Sequence, residues 1–202
     1  MRALAVTLVF FLAAFASGPA AADPITLRQG DPRQSLVLQA GWPQAGVAWW
    51  LRPELGLAVA WRLPAAAIEA SLGTRRRVAL GTGPWALDLF LAGGLLAPMV
   101  DPGLAVSATP AIQLGRRGAR GELDLGLALP LELQVLSARQ LRAPLLLEAG
   151  FGVDLGPVAI GARGGLGPVL SAPGALGFAV QWSLWLRAPL QRSRALAAST
   201  CR

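Results

Sequence analysis

The chain has 202 residues, of which 54% are hydrophobic, 18 are basic, 11 are acidic and none is histidine. That length suits one domain; the lone Cys201 excludes an internal disulfide, and the absence of histidine excludes Ser-His-Asp hydrolysis, Cys-His catalysis and His-containing metal sites as usually built. The net charge of +7 is carried by arginines that form no dominant stripe, so composition does not point to a nucleic-acid partner.

Arg2, the apolar run from Ala3 to Ala16 and the small residues Ala20-Ala21-Ala22 have the layout of a secretory signal peptide. Residues 1–22 are therefore expected to be a leader, cleaved near Ala22 to Asp23. Its apolar run is shorter than the roughly 20 residues a membrane-spanning helix needs. Residues 23–34 are polar and irregular, with Pro24, Gly30 and Pro32, and read as a periplasmic entry segment. An exported chain this hydrophobic is most simply reconciled with a membrane.

From Ser35 onward, apolar residues recur at every second position, the period of a strand whose two faces meet different surroundings. A first strand carries Leu36, Leu38, Ala40 and Trp42 on one parity, and a second carries Val47, Trp49 and Leu51 after a turn at 43–46. Leu55, Leu57, Val59, Trp61 and Leu63 make a third, with Gly56, Ala58, Ala60 and Arg62 opposite. Ile68, Ala70, Leu72, Val78 and Leu80 share a parity in the fourth, where the residues from Thr74 to Arg77 interrupt the apolar band. Gly81-Thr82-Gly83-Pro84 is a turn. The fifth strand carries Leu87, Leu89, Leu91, Gly93 and Leu95, and the sixth Leu104, Val106, Ala108, Pro110, Ile112 and Leu114.

The stretch from Glu122 to Leu136 shows the alternation most cleanly. Leu123, Leu125, Leu127, Leu129, Leu131, Leu133 and Val135 face one way; Glu122, Asp124, Gly126, Ala128, Pro130, Glu132 and Gln134 face the other. A helix would spread those acids around its circumference. An eighth strand runs from Leu141 to Leu155, a ninth from Val158 to Leu166, and a tenth from Leu176 to Arg187 with Phe178, Val180, Trp182, Leu184 and Leu186 on the apolar side. Ten strands are expected, and eight if the weak first pair is lost. A basic tail occupies 188–202.

Alternation alone does not say which face is inside. A water-facing sheet normally carries long polar groups, whereas the second face here is mostly Gly, Ala and Ser with scattered charges, which suits a narrow lumen better than a solvated exterior. The inward charges are then Arg62, Glu69, Asp88, Glu122, Asp124, Glu132, Arg142, Glu148, Asp154, Arg163 and Arg187. A lone charge in a lumen is costly, so arginine is expected to pair with carboxylate across it. Arg75-Arg76-Arg77 and Arg116, Arg117 and Arg120 read as solvated strand ends, or as contacts to lipid phosphates. Trp42, Trp49, Trp61 and Trp85 fall near strand ends, where an amphipathic ring suits a membrane interface.

The signal peptide, dyad repeats and turn spacing from about Ser35 to Arg187 resemble the small outer-membrane β-barrel proteins of Gram-negative bacteria. That resemblance implies an all-β, antiparallel up-and-down transmembrane barrel in the outer membrane, with outer-membrane lipid and the barrel-assembly machinery as its partners. One departure is the tail from Gln191 to Arg202, because such barrels commonly end on an aromatic residue. Enzymes among these barrels generally rely on a catalytic histidine, so no catalytic residue, cofactor or metal is expected here. The Glu122/Asp124 pair fits no catalytic motif, and Gly161 to Gly167 lacks the lysine and helix of a phosphate loop. The reading is a non-enzymatic structural or lipid-interacting protein with a lumen plugged by Arg–carboxylate pairs. A small pore or transporter and a soluble periplasmic lipocalin-like barrel are the alternatives; the sequence names no ligand.

Overall fold

Strands with this dyad pattern form one antiparallel sheet in the computed structural model of the chain, which describes residues 35–52, 54–63, 66–99, 103–118, 120–136, 140–172 and 174–189. The expected signal peptide, the entry segment and the tail beyond Pro189 lie outside the described residues. Twelve strands follow in chain order: β1 (Ser35–Trp42), β2 (Gln44–Arg52), β3 (Leu55–Arg62), β4 (Ala67–Ala79), β5 (Trp85–Pro98), β6 (Leu104–Gly118), β7 (Gly121–Ala128), β8 (Leu131–Leu136), β9 (Leu141–Pro144), β10 (Leu146–Leu155), β11 (Val158–Ala172) and β12 (Ala175–Pro189).

Each strand from β1 to β6 pairs with the next, β7 pairs with β10, and β10, β11 and β12 follow in order. The pairing of β12 with β1, from Ser35 opposite Pro189 to Trp42 opposite Trp182, closes a barrel of ten strands. β8 and β9 stand outside that ring, bonded to each other, to the start of β6 and to the end of β11. They prolong β7 and β10 along the same neighbours. Pro130 and Pro144 have no N–H to give the ladder, and the adjacent Leu129 N–H and Leu145 N–H still reach Pro110 O and Pro168 O at 3.0 and 2.9 Å. The single stretch expected at 122–136 is thus β7 plus β8, and that at 141–155 is β9 plus β10. The eight-strand alternative fails because β1 and β2 pair along their lengths and β1 supplies the closure.

The register fixes how the strands lean. Followed across the ring from Ser35 through Trp50, Gly56, Gly73, Ala92 and Thr109, and on through the levels of Pro130, Pro144, Val169 and Gly177, it returns to the line of β1 twelve positions along from Ser35, beyond the strand's end at Trp42. A stagger of that size over ten strands corresponds to a tilt of about 40°. At the turns between β10 and β11 and between β11 and β12, Gly156 and Gly174 hold φ of 76° and 82°, which side-chain-bearing residues rarely adopt.

The Leu parity faces outward everywhere. Leu57 is 42% exposed, Leu91 52%, Leu125 51%, Leu147 58% and Leu184 60%, while Glu69, Asp88, Glu148 and Arg163 on the other parity are buried. A lipocalin-type barrel would need the reverse. Strand ends Ser35, Ala79, Gly118, Leu155 and Pro189 gather at one end, here the terminal end; Arg62, Ala67, Leu136 and Ala175 mark the far end.

Candidate functional site

The inner face carries two ionic groups separated by apolar side chains. Near the far end Arg62 on β3 is the centre of the first. Its Nε and Nη2 donate to Glu69 Oε2 on β4 at 3.0 and 2.7 Å, and its Nη1 donates to Glu132 Oε2 on β8. Ser107 on β6 donates from Oγ to the other Glu69 oxygen at 2.7 Å. Arg142 on β9 stands opposite Glu132 in register and is half-buried. Arg62 is 4% exposed and Glu69 1%, so their attraction acts where water screens little.

The second group lies toward the terminal end. Arg75 Nη2 on β4 donates to Asp88 Oδ2 on β5, and Arg77 Nε lies 4.0 Å from the other Asp88 oxygen. Arg163 on β11 donates from Nη2 to Asp124 Oδ1 on β7, and its Nη1 lies 3.9 Å from Glu148 Oε2 on β10. Gln181 Nε2 donates to Glu148 Oε1 at 2.6 Å. Glu122 is shared: Arg187 Nη1 reaches its two oxygens at 3.0 and 3.3 Å, and Arg117 Nε reaches Oε2 at 3.2 Å. Arg187 also spans 3.6 Å to Asp154, whose side chain is 48% exposed at the rim, and lies over the Trp185 ring.

Glycine makes room for these long side chains. A Cβ on Gly150 would stand 2.8 Å from Asp124 Oδ1, and one on Gly152 2.6 Å from Trp185 Cη2. The Trp185 ring thus lies against bare backbone, and with Trp50, Phe90, Val37 and Ala92 it forms an apolar cluster inside the barrel. Ala128, Leu146, Val169 and Ala179 form another. A cavity of about 20 Å3 remains at the terminal end, bordered by Arg75, Asp88, Glu122, Asp124, Arg163 and Arg187 among others. It has room for about one water-sized atom.

Of the charges expected inside, Arg62, Glu69 and Glu132 come together in the first group, while Asp88, Glu122, Asp124, Glu148, Arg163 and Arg187 come together in the second. Arg142 is only half-buried and Asp154 stands at the edge. Arg75, which the sequence groups with its neighbours as a solvated strand end, is 8% exposed and bound to Asp88. Its parity with Glu69, Ser71 and Gly73 was the signal that could have found it. Trp50 and Trp185, at 0% and 5% exposure, were likewise inward by parity. Among the four tryptophans expected at strand ends, Trp49, Trp61 and Trp85 are exposed on the outer face, Trp85 beneath Arg116, and Trp42 is half-buried opposite Trp182.

Among the described residues, no three His, Cys, Asp or Glu side chains are grouped to hold a metal ion. Compared with models of known protein families, with curated proteins and with solved structures, the chain matches none.

Proposed function

We propose that this chain is an integral outer-membrane β-barrel of a Gram-negative bacterium, with a structural or lipid-interacting role, no enzymatic activity, and a lumen closed by its own Arg–carboxylate pairs. The observation that carries the reading is the inverted surface: leucines stand exposed all around the outside while charges are buried within. Soluble monomers rarely expose a contiguous apolar patch beyond a few hundred Å2. A belt around a whole barrel is what hydrocarbon requires, since closed ladders leave no backbone group unpaired across it.

The height of the belt fits. Outward residues of β5 from Leu87 to Ala97 cover roughly 26 Å at about 3.4 Å per residue and a tilt near 40°, close to the ~25 Å apolar band of outer-membrane barrels. Trp85 precedes this run at the terminal end, and Trp61 stands near the far end of β3. Even strand number keeps both chain ends on one side, which in bacterial barrels is the periplasm.

Closure of the lumen is supported by the burial of most inward charges and by the small volume left among those at the terminal end. Absence of enzymatic activity is supported by the sequence, which offers no histidine. Two measurements test the reading together. The protein should stay with membranes through alkaline carbonate extraction, and purified protein in planar bilayers should give no conductance steps. Release by carbonate would overturn the membrane assignment, and regular steps would turn the reading to a small pore.

A further inference from the structure

Few charged side chains interrupt the apolar outer face, and Arg76 is one of them. Parity on β4 puts Leu72, Thr74, Arg76 and Val78 on that face, and all four are exposed. In register Arg76 stands opposite Leu89 of β5, within the apolar run from Leu87 to Ala97. Among the described residues no carboxylate lies within ion-pair distance of Arg76; Asp88, the one acid of β5, faces inward and is held by Arg75 and Arg77. Arg52 ends β2, across β3 from β4, and is exposed, as is Glu54 in the turn between β2 and β3. With that acid counted, two arginines still face one carboxylate along this edge.

Toward the far end from Arg76 the outer face is hollow. Register sets Leu57, Leu72 and Gly93 in one outward row and Val59, Ala70 and Leu95 in the next, so two small residues stand among larger ones. The result is an open apolar groove of about 560 Å3, a size common for ligand pockets. A Cβ on Gly93 would meet only Ser107 O, at 3.7 Å, so the fold does not itself require glycine there. Leu72, in the groove, precedes Arg76 by four residues on the same strand, about 14 Å by strand rise.

We propose that Arg76 and this groove together form a binding site for one anionic phospholipid, with its phosphate at Arg76 and an acyl chain along Ala70 and Gly93. The site rests on the membrane reading above and gives the lipid a position on the barrel. An arginine on a lipid-facing surface costs more the deeper it stands. A phosphate answers that charge, and its edge matches the planar guanidinium fork. A zwitterionic headgroup would bring its own ammonium to an edge that is already positive. An acyl chain in the groove supplies the dispersion contacts that the two small residues leave unmade.

Native mass spectrometry of the detergent-solubilised full chain, titrated with phosphatidylglycerol and separately with phosphatidylcholine, tests the site. The expected result is one phosphatidylglycerol held per barrel in preference to phosphatidylcholine. Its binding should weaken about tenfold in Arg76→Gln, as for loss of one charge-assisted hydrogen bond. Gly93→Leu, which fills the groove and keeps the charge, should weaken it likewise, and Arg116→Gln, over Trp85 on the same face, should leave it unchanged. A faster unboiled gel band for each variant shows that the barrel has formed, so that loss of lipid reports the site. Binding that survives either R76Q or G93L, that falls equally in R116Q, or a dimer without lipid would overturn the proposal. Release of the parent protein from membranes by carbonate would instead remove the membrane reading. A carbonate-resistant parent that holds phosphatidylglycerol no better than phosphatidylcholine removes this site alone.

Discussion

At the scale of single residues, stability inside this barrel depends on keeping both members of each buried pair. Replacing Arg62 with Ala would leave Glu69 and Glu132 facing each other without their shared cation, and breaking a buried pair in this way costs about 3–5 kcal/mol. Urea unfolding from lipid vesicles should show that loss, and Glu69→Gln with Glu132→Gln in the same chain should recover most of it. If R62A alone unfolds like the parent, the network is not part of the folded state. Space is as demanding as charge. Gly152→Ala sets a methyl 2.6 Å from Trp185 Cη2, and overpacking of that kind costs about 1–3 kcal/mol. Trp185→Leu should relieve it, and a double-mutant cycle without coupling would contradict the packing of the ring against Gly152.

At the scale of the strand, one face is apolar and exposed and the other lines the lumen, and on the proposed reading hydrocarbon sets the first. Leu91 stands midway along β5 on the outer face, and Leu91→Arg should cost about 2–4 kcal/mol in vesicles, against about 0–1 for Leu155→Arg at a strand end. Equal costs at the two positions would mean that depth in a bilayer does not govern the outer face. The strand is also where the sequence was most readable. Period-2 alternation located the ten long rows and their inward charges, because a strand leaves no other choice of face. Alternation places Arg75 inward with Glu69, and only its membership of the Arg75-Arg76-Arg77 cluster points the other way; what alternation does not show are the breaks at Leu129–Pro130 and Leu145. Those breaks fall beside Pro130 and Pro144, which have no N–H for the ladder, while side-chain parity runs through them unchanged.

At the scale of the molecule, the stagger of the ring decides which charges meet. Arg62 and Glu132 are 70 residues apart, and Arg187 and Glu122 65 apart; barrel closure joins them, so the partners could be named as a set but not paired from the sequence. The same closure brings Arg117 and Arg187 together on Glu122 at the terminal end. A closed ten-strand ladder of this kind, ringed by an apolar outer belt, should resist detergent until boiled if it is the proposed membrane barrel. The most direct test of the central claim is the migration of the protein on a gel, taken from purified outer membranes, with and without heating. A faster band in the unheated sample of that fraction is the predicted result. A single heat-independent band, or protein recovered from the inner membrane or the soluble fraction, would contradict the outer-membrane barrel.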